Sequence, residues 1–158
     1  SDRKSLAGSV MSDARPDAVT CMVAAGPGET FDLVAHPAEL ARAVPTLRDV
    51  VFLTDQREGI GTVFACQRQL WDVVEQQTVE IAEYEPDHLV RYIAEADDNL
   101  WDLTYRIAPR GGDCTIALSL SSRAARSGAG TAKGVSDQIR DAFAAELDKV
   151  SVYLSDDA

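Results

Sequence analysis

From residue 59 to residue 122 apolar and polar positions alternate with almost no helical period, and the chain closes on a stretch where apolar residues recur at steps of three and four. The alternating part divides into runs 62–70, 73–83, 89–96, 100–108 and 114–121. Between them lie Trp71-Asp72, Glu85-Pro86-Asp87, Asp97-Asp98-Asn99 and the segment 109–113, which carry turn-forming residues. Each run is of strand length. Because alternate residues of a strand point to opposite faces, Trp101, Leu103, Tyr105 and Ile107 share one face, as do Cys114, Ile116, Leu118 and Leu120. These are the predicted inward faces. Near the end of the chain Val135, Ile139, Phe143, Leu147, Val150 and Leu154 form one stripe of a helix over 135–154. Asp137, Arg140, Asp141, Glu146 and Asp148 are placed largely off that stripe, so the helix is expected to lie with one face on the sheet.

Upstream, run 18–25 suits a first strand and is stopped by Gly26 and Pro27. Pro27 fits the first position of a short helix whose apolar side is Phe31, Leu33 and Val34. The His36-Pro37 pair ends that helix and starts a second, which runs to Val44 and stops at Pro45. A strand over 46–54 and a polar turn over 55–61 follow. Residues 1–17 lack periodicity and read as a flexible arm, with Met11 a candidate native start. Residues 122–134 read as a flexible or partly helical connection, and their GAGTAKG run lacks the spacing of a phosphate-binding loop. The prediction is an α+β fold over 18–156: a curved seven-stranded antiparallel sheet wrapped around a long C-terminal helix, with two short helices between strands 1 and 2. A sheet of that kind hides its apolar face against the helix, which leaves room for a cavity.

Composition narrows the partners. The 158 residues are 46% hydrophobic, enough for one continuous core, and a formal charge of -11 repels nucleic acid backbones and anionic lipid. No apolar run reaches the roughly 20 residues that span a bilayer, and no secretion signal is evident, so a cytoplasmic protein is expected, as monomer or homodimer. Cys21, Cys66 and Cys114 are scattered singly and read as small buried apolar residues, without disulfides. His36, between the two short helices, is read as a capping or packing residue, with a general base at the cavity mouth the functional alternative; His88 is read as exposed. With no paired metal-ligand spacing, and the acidic run 95–98 read as a solvated turn, neither metal nor cofactor is expected.

The polar candidates come from one hairpin. A two-residue turn at Trp71-Asp72 sets Arg68 opposite Glu75, Cys66 opposite Gln77 and Phe64 opposite Val79. If Val79 and Ile81 face inward, so do Arg68, Glu75 and Gln77. Two readings follow. Arg68 is either a polar anchor in an apolar pocket, held by a carboxylate and turned to a ligand's carbonyl, enolate or carboxylate, or half of a cross-strand ion pair near an exposed tip. Trp101 and Tyr105, each with one polar tip, either touch ligand or fill the core.

Several segments in this order resemble the START-like (SRPBCC) superfamily of helix-grip proteins, and within it the polyketide cyclase/dehydrase and lipid-transport family. They are FDLVAHPAEL for the helix pair, Pro45 before the second strand, GIGT before the third, VEIAEYEPDHLVRY for a strand and turn, and LTYRIAPRGGDCTIALSL for the last hairpin. The chain departs from the family pattern at Ala43 before the proline and at Asp113-Cys114 in the hairpin. The resemblance implies binding or transport of a small lipid- or polyketide-like molecule between sheet and helix. Its lining would come from Phe64, Arg68, Glu75, Gln77 and Val79 on one hairpin, Trp101, Leu103, Tyr105, Ile116 and Leu118 on another, and Ile139 and Phe143 on the helix. Resemblance to aromatase/cyclases makes Arg68, Trp101 and Tyr105 the candidate catalytic residues of an enzymatic alternative. A third alternative is a protein-interaction module whose interior is filled by its own side chains.

Overall fold

The computed structural model describes residues 18–97, 99–124 and 135–156. The elements run β1 (Ala18–Val23), α1 (Pro27–Val34), α2 (Pro37–Ala43), β2 (Leu47–Phe52), β3 (Val63–Leu70), β4 (Val73–Glu85), β5 (Leu89–Ala96), β6 (Asn99–Arg110), β7 (Asp113–Ala124) and α3 (Asp137–Asp156). The expected N-terminal arm, the GAGTAKG run and residue 98 of the acidic turn lie outside the described residues.

Local chemistry accounts for most of the boundaries. Pro27 and Pro37 open α1 and α2, where their fixed φ suits a first turn and no N–H is wanted. α3 starts at Asp137 rather than Val135, because Ser136 caps it: its hydroxyl accepts from the Ile139 N–H at 3.2 Å, and its carbonyl from the Arg140 N–H at 2.9 Å. The β3–β4 turn is the two-residue one expected, with Leu70 paired to Val73. It places Trp71 at φ 60, a left-handed conformation that a bulky residue adopts at a cost of about 1–2 kcal/mol. At the β6–β7 turn the same backbone demand is met by Gly111 at φ 64. β7 runs through Ala124, so Ser122 to Ala124 belong to the strand and not to a connection; their backbones pair with Asn99 to Trp101 of β6, which alternation of side chains does not reveal.

All seven strands join one antiparallel sheet in the order β1-β7-β6-β5-β4-β3-β2. β1 and β2, close in sequence, are the opposite edges, and α1 and α2 cross between them. α3 packs mainly on β1 and also meets β3, α1 and α2, so the sheet curves around it. The inward faces are those expected: Trp101, Leu103, Tyr105 and Ile107 on β6, and Cys114, Ile116, Leu118 and Leu120 on β7, are buried. Phe143, Leu147, Val150 and Leu154 of α3 close over them. Across the concave face runs a chain of rings. Phe52, Phe64, Tyr92 and Tyr105 meet at centroid distances of 6.1, 6.1 and 6.0 Å, the last two nearly edge to face. The Tyr92 hydroxyl donates to the Val34 carbonyl at 2.6 Å and ties α1 to the sheet.

Candidate functional site

The inward alternation of β3 buries Phe64, Cys66, Arg68 and Leu70, and so carries a guanidinium into an apolar interior. The register opposite is the one the hairpin turn dictates: Arg68 faces Glu75, Cys66 faces Gln77, and Phe64 faces Val79. Yet Glu75 is not the carboxylate that holds Arg68. Its Oε1 accepts from the Trp101 indole N–H and from the Gln77 amide, both at 2.9 Å. Arg68 is held instead by Glu146 of α3, Nε donating to Oε2 at 3.1 Å and Nη2 to Oε1 at 3.3 Å. The guanidinium also lies 5.3 Å from the centre of the Phe143 ring, within cation–π range.

Glu146 therefore corrects the helix as read from the sequence. It is 5% exposed, on the packed side of α3 and not among the outward charges. The signal was present in its spacing, three residues after Phe143 and four before Val150, which is the spacing of the buried stripe. Its charge argued for solvent. A carboxylate tolerates that position because a guanidinium descends onto it from β3.

Of the other candidate residues, Phe64, Gln77, Val79, Trp101, Leu103, Tyr105, Ile116, Leu118 and Phe143 are buried, while Glu75 and Ile139 are half-buried. Around Arg68 gather Glu146, Phe143, Cys66 and Tyr105, and one strand further on the Glu75, Gln77 and Trp101 cluster. Ile116 and Leu118 lie in the apolar remainder of the core.

Burial sets the charge states. It pushes the Tyr105 hydroxyl up to about 12 and the Cys66 thiol to about 11, although the Arg68 charge pulls both down. Both groups are therefore protonated at neutral pH and act as hydrogen-bonding groups, not as nucleophiles. Burial also raises Glu146, and the attraction of Arg68 offsets that only in part. Arg68 loses water too, but the Glu146 charge, with smaller contributions from Tyr105 and Cys66, more than compensates and keeps it protonated.

The space around the pair has two parts. On the inner side is a cavity of about 10 Å³ between Pro37, Leu40, Leu47, Phe64, Cys66, Arg68, Val79 and Tyr92. That is room for roughly one water molecule. On the outer side an open cleft of about 500 Å³ lies between α3 and the β2–β3 end of the sheet. One wall is Pro45, Thr46, Gln69 and Trp71; the other is Gln138, Asp141, Ala142, Ala145, Glu146 and Lys149. Arg68 borders the inner cavity and Glu146 borders the cleft, so their ion pair separates the two.

The remaining sequence candidates lie elsewhere. His36 is fastened on both ring nitrogens, Nδ1 to the Asp32 carbonyl at 2.7 Å and Nε2 to Glu58 Oε1 at 3.1 Å, and joins the α1–α2 turn to the loop before β3. His36 thus both caps and packs: it is the N-cap residue of α2, where its carbonyl accepts from the Glu39 and Leu40 N–H groups at 2.9 Å, while its ring makes no bond to α2 and binds a last-turn carbonyl of α1. His88 is exposed; Cys66 and Cys114 are buried, and Cys21 is half-buried. Among the described residues no helix is long and apolar enough to cross a membrane.

No protein-family model matches the chain, and no curated protein matches it. Solved structures do. A protein of Thermus thermophilus superimposes with a TM-score of 0.69 at 13% identity, over 89% of this chain and 97% of its own. Ginseng major latex-like protein 151 from Panax ginseng gives 0.70 at 10% identity, over 86% and 94%. A norcoclaurine synthase point mutant from Thalictrum, in complex with a transition state analogue, gives 0.62 at 14% identity, over 88% and 92%. The chain has the helix-grip fold. Identities this low establish shared architecture, the one that the ordered sequence motifs point to, and leave function to the site.

Proposed function

We propose that the protein binds a small, largely apolar molecule, lipid- or polyketide-like, in the cleft between α3 and the sheet, with its polar end turned inward to Arg68. The observation that carries this reading is the buried Arg68–Glu146 pair at the floor of an open cleft. As a stabilising device such a pair is poor, because desolvating two charges offsets their attraction, and apolar residues of similar volume serve stability as well or better. As an anchor it is well placed. The cleft falls within the roughly 300–1,000 Å³ of small-molecule sites, its walls offer Trp71, Pro45, Ala142 and Ala145 to an apolar body, and a cation lies behind them. Supporting this reading, the norcoclaurine synthase mutant of the same fold was solved with a small molecule bound.

The test is native mass spectrometry of the full chain, followed by denaturing extraction of whatever travels with it. A defined co-purifying mass, or a thermal shift with members of a panel of fatty acids, sterols and aromatic polyketides, is the expected result. An empty spectrum with no shift across that panel overturns the proposal and favours a protein-interaction module with a filled interior.

A further inference from the structure

We infer that Glu146 occupies the seat of a ligand's own carboxylate, so that the protein takes apolar monocarboxylates by exchange: the ligand's head group replaces Glu146 on Arg68, and Glu146 swings into the cleft beside Lys149. This inference rests on the binding proposed above and specifies its ligand class.

Three features of the site lead there. The first is the shape of the contact. Nε and Nη2 of Arg68 each meet a different oxygen of one carboxylate, a two-pronged planar geometry that a carboxylate satisfies and a single hydroxyl or carbonyl oxygen does not. The second is the position of Glu146, which borders the solvent-open cleft while its oxygens reach the buried guanidinium. An incoming head group in the cleft therefore meets Glu146 before it meets Arg68. The third is what surrounds the pair. Glu75, the carboxylate opposite Arg68 in register, is committed to Trp101 and Gln77, so it is not free to take the guanidinium once Glu146 leaves. Lys149, three residues on from Glu146, is exposed on the same wall of the cleft and makes no ion pair among the described residues.

Exchange also keeps the charges balanced. One carboxylate enters and one leaves, so Arg68 is paired in both states and never stands as an uncompensated buried charge. The departing Glu146 regains water and a cationic neighbour, and burial already disfavours its ionised form where it now sits. A neutral ligand of the same length gains none of this. It either leaves Glu146 in place and stays in the outer cleft, or displaces it and strands the guanidinium.

The experiment is isothermal titration of decanoate and of decan-1-ol into the full chain and into its Glu146→Gln and Lys149→Ala variants. Decanoate is expected to bind the unmodified chain at least about tenfold more tightly than decan-1-ol. Glu146→Gln removes the competing charge and should tighten decanoate by about tenfold while leaving decan-1-ol within about twofold. Lys149→Ala, a change at an exposed position, should weaken decanoate by about threefold more than it weakens decan-1-ol. If Glu146→Gln does not fold, the decanoate preference and the Lys149→Ala response decide the matter. Equal affinities for the two probes, unchanged by either variant, overturn the exchange and leave the binding cleft standing. Failure of both probes to bind any of the proteins overturns exchange and cleft together.

Discussion

Arg68 and Arg91 sit on strands of one sheet, and each grips carboxylates, yet they live in opposite surroundings. Arg91, on β5, is partly exposed and holds two partners from neighbouring strands: Glu83 at 2.8 Å and Asp102 through both oxygens at 2.9 and 2.7 Å. It has more acid than it needs, with water at hand, and it staples three adjacent strands. Arg68 is nearly sealed from solvent, with one carboxylate in contact, supplied by a helix on the far side of the interior. The Arg91 cluster makes sense as structure alone. The Arg68 pair, desolvated and bordering a cleft, does not, and this contrast favours a binding role.

The contrast breaks most visibly at Glu146. Glu146→Ala should lower stability by about 3–5 kcal/mol in urea titrations, because it strands a buried guanidinium; a loss as small as that of a surface pair would make the Arg68 site no different from Arg91. Replacing both partners, as Arg68→Met with Glu146→Leu, should be neutral or raise stability by up to about 4 kcal/mol while abolishing any preference for decanoate over decan-1-ol. A double variant as unstable as Glu146→Ala would mean that the pair serves the fold. On the outer face, Arg91→Ala should cost about 1 kcal/mol, and less in about 1 M salt, where partly exposed charges are screened. Salt sensitivity of the same size at Arg68 would erase the distinction.

The smallest effect is a pH dependence. Burial holds the Glu146 proton more tightly in the fold than its ordinary value of 4.5 would, so the contribution of this group is full below that value and is lost as pH rises through the raised one. The stability of the unmodified chain relative to Glu146→Gln should therefore fall as pH rises above 4.5, as read from urea midpoints. A relative stability that climbs with pH would reverse the assignment.

Much of this architecture could be read from the residues. The hairpin at Trp71-Asp72 shows why: a two-residue turn leaves no freedom in parity, so the facing of Arg68 to Glu75 and of Phe64 to Val79 follows by counting. Strand ends were harder, because Ser122, Arg123 and Ala124 are paired through backbone groups that carry no hydrophobic signature. The partner of Arg68 was hidden for a different reason. Register identifies neighbours within the sheet, but whether Glu75 or Glu146 takes the guanidinium depends on how α3 crosses the concave face and on Trp101 and Gln77 claiming Glu75 first. Cavity size was hidden likewise, since the rings of Phe64, Tyr92 and Tyr105 fill space by their orientation and not by their order in the chain.

The most direct test is to map where an apolar ligand goes. In a ¹⁵N- and methyl-labelled sample titrated with decanoate, binding in the cleft predicts shifts concentrated at Arg68 Nε–H, Trp71, Ala142, Ala145 and Glu146, with Arg91 and Asp102 on the outer face unmoved. Shifts confined to exposed apolar residues away from the cleft, such as Val51, Leu53 and Ile60, would contradict it.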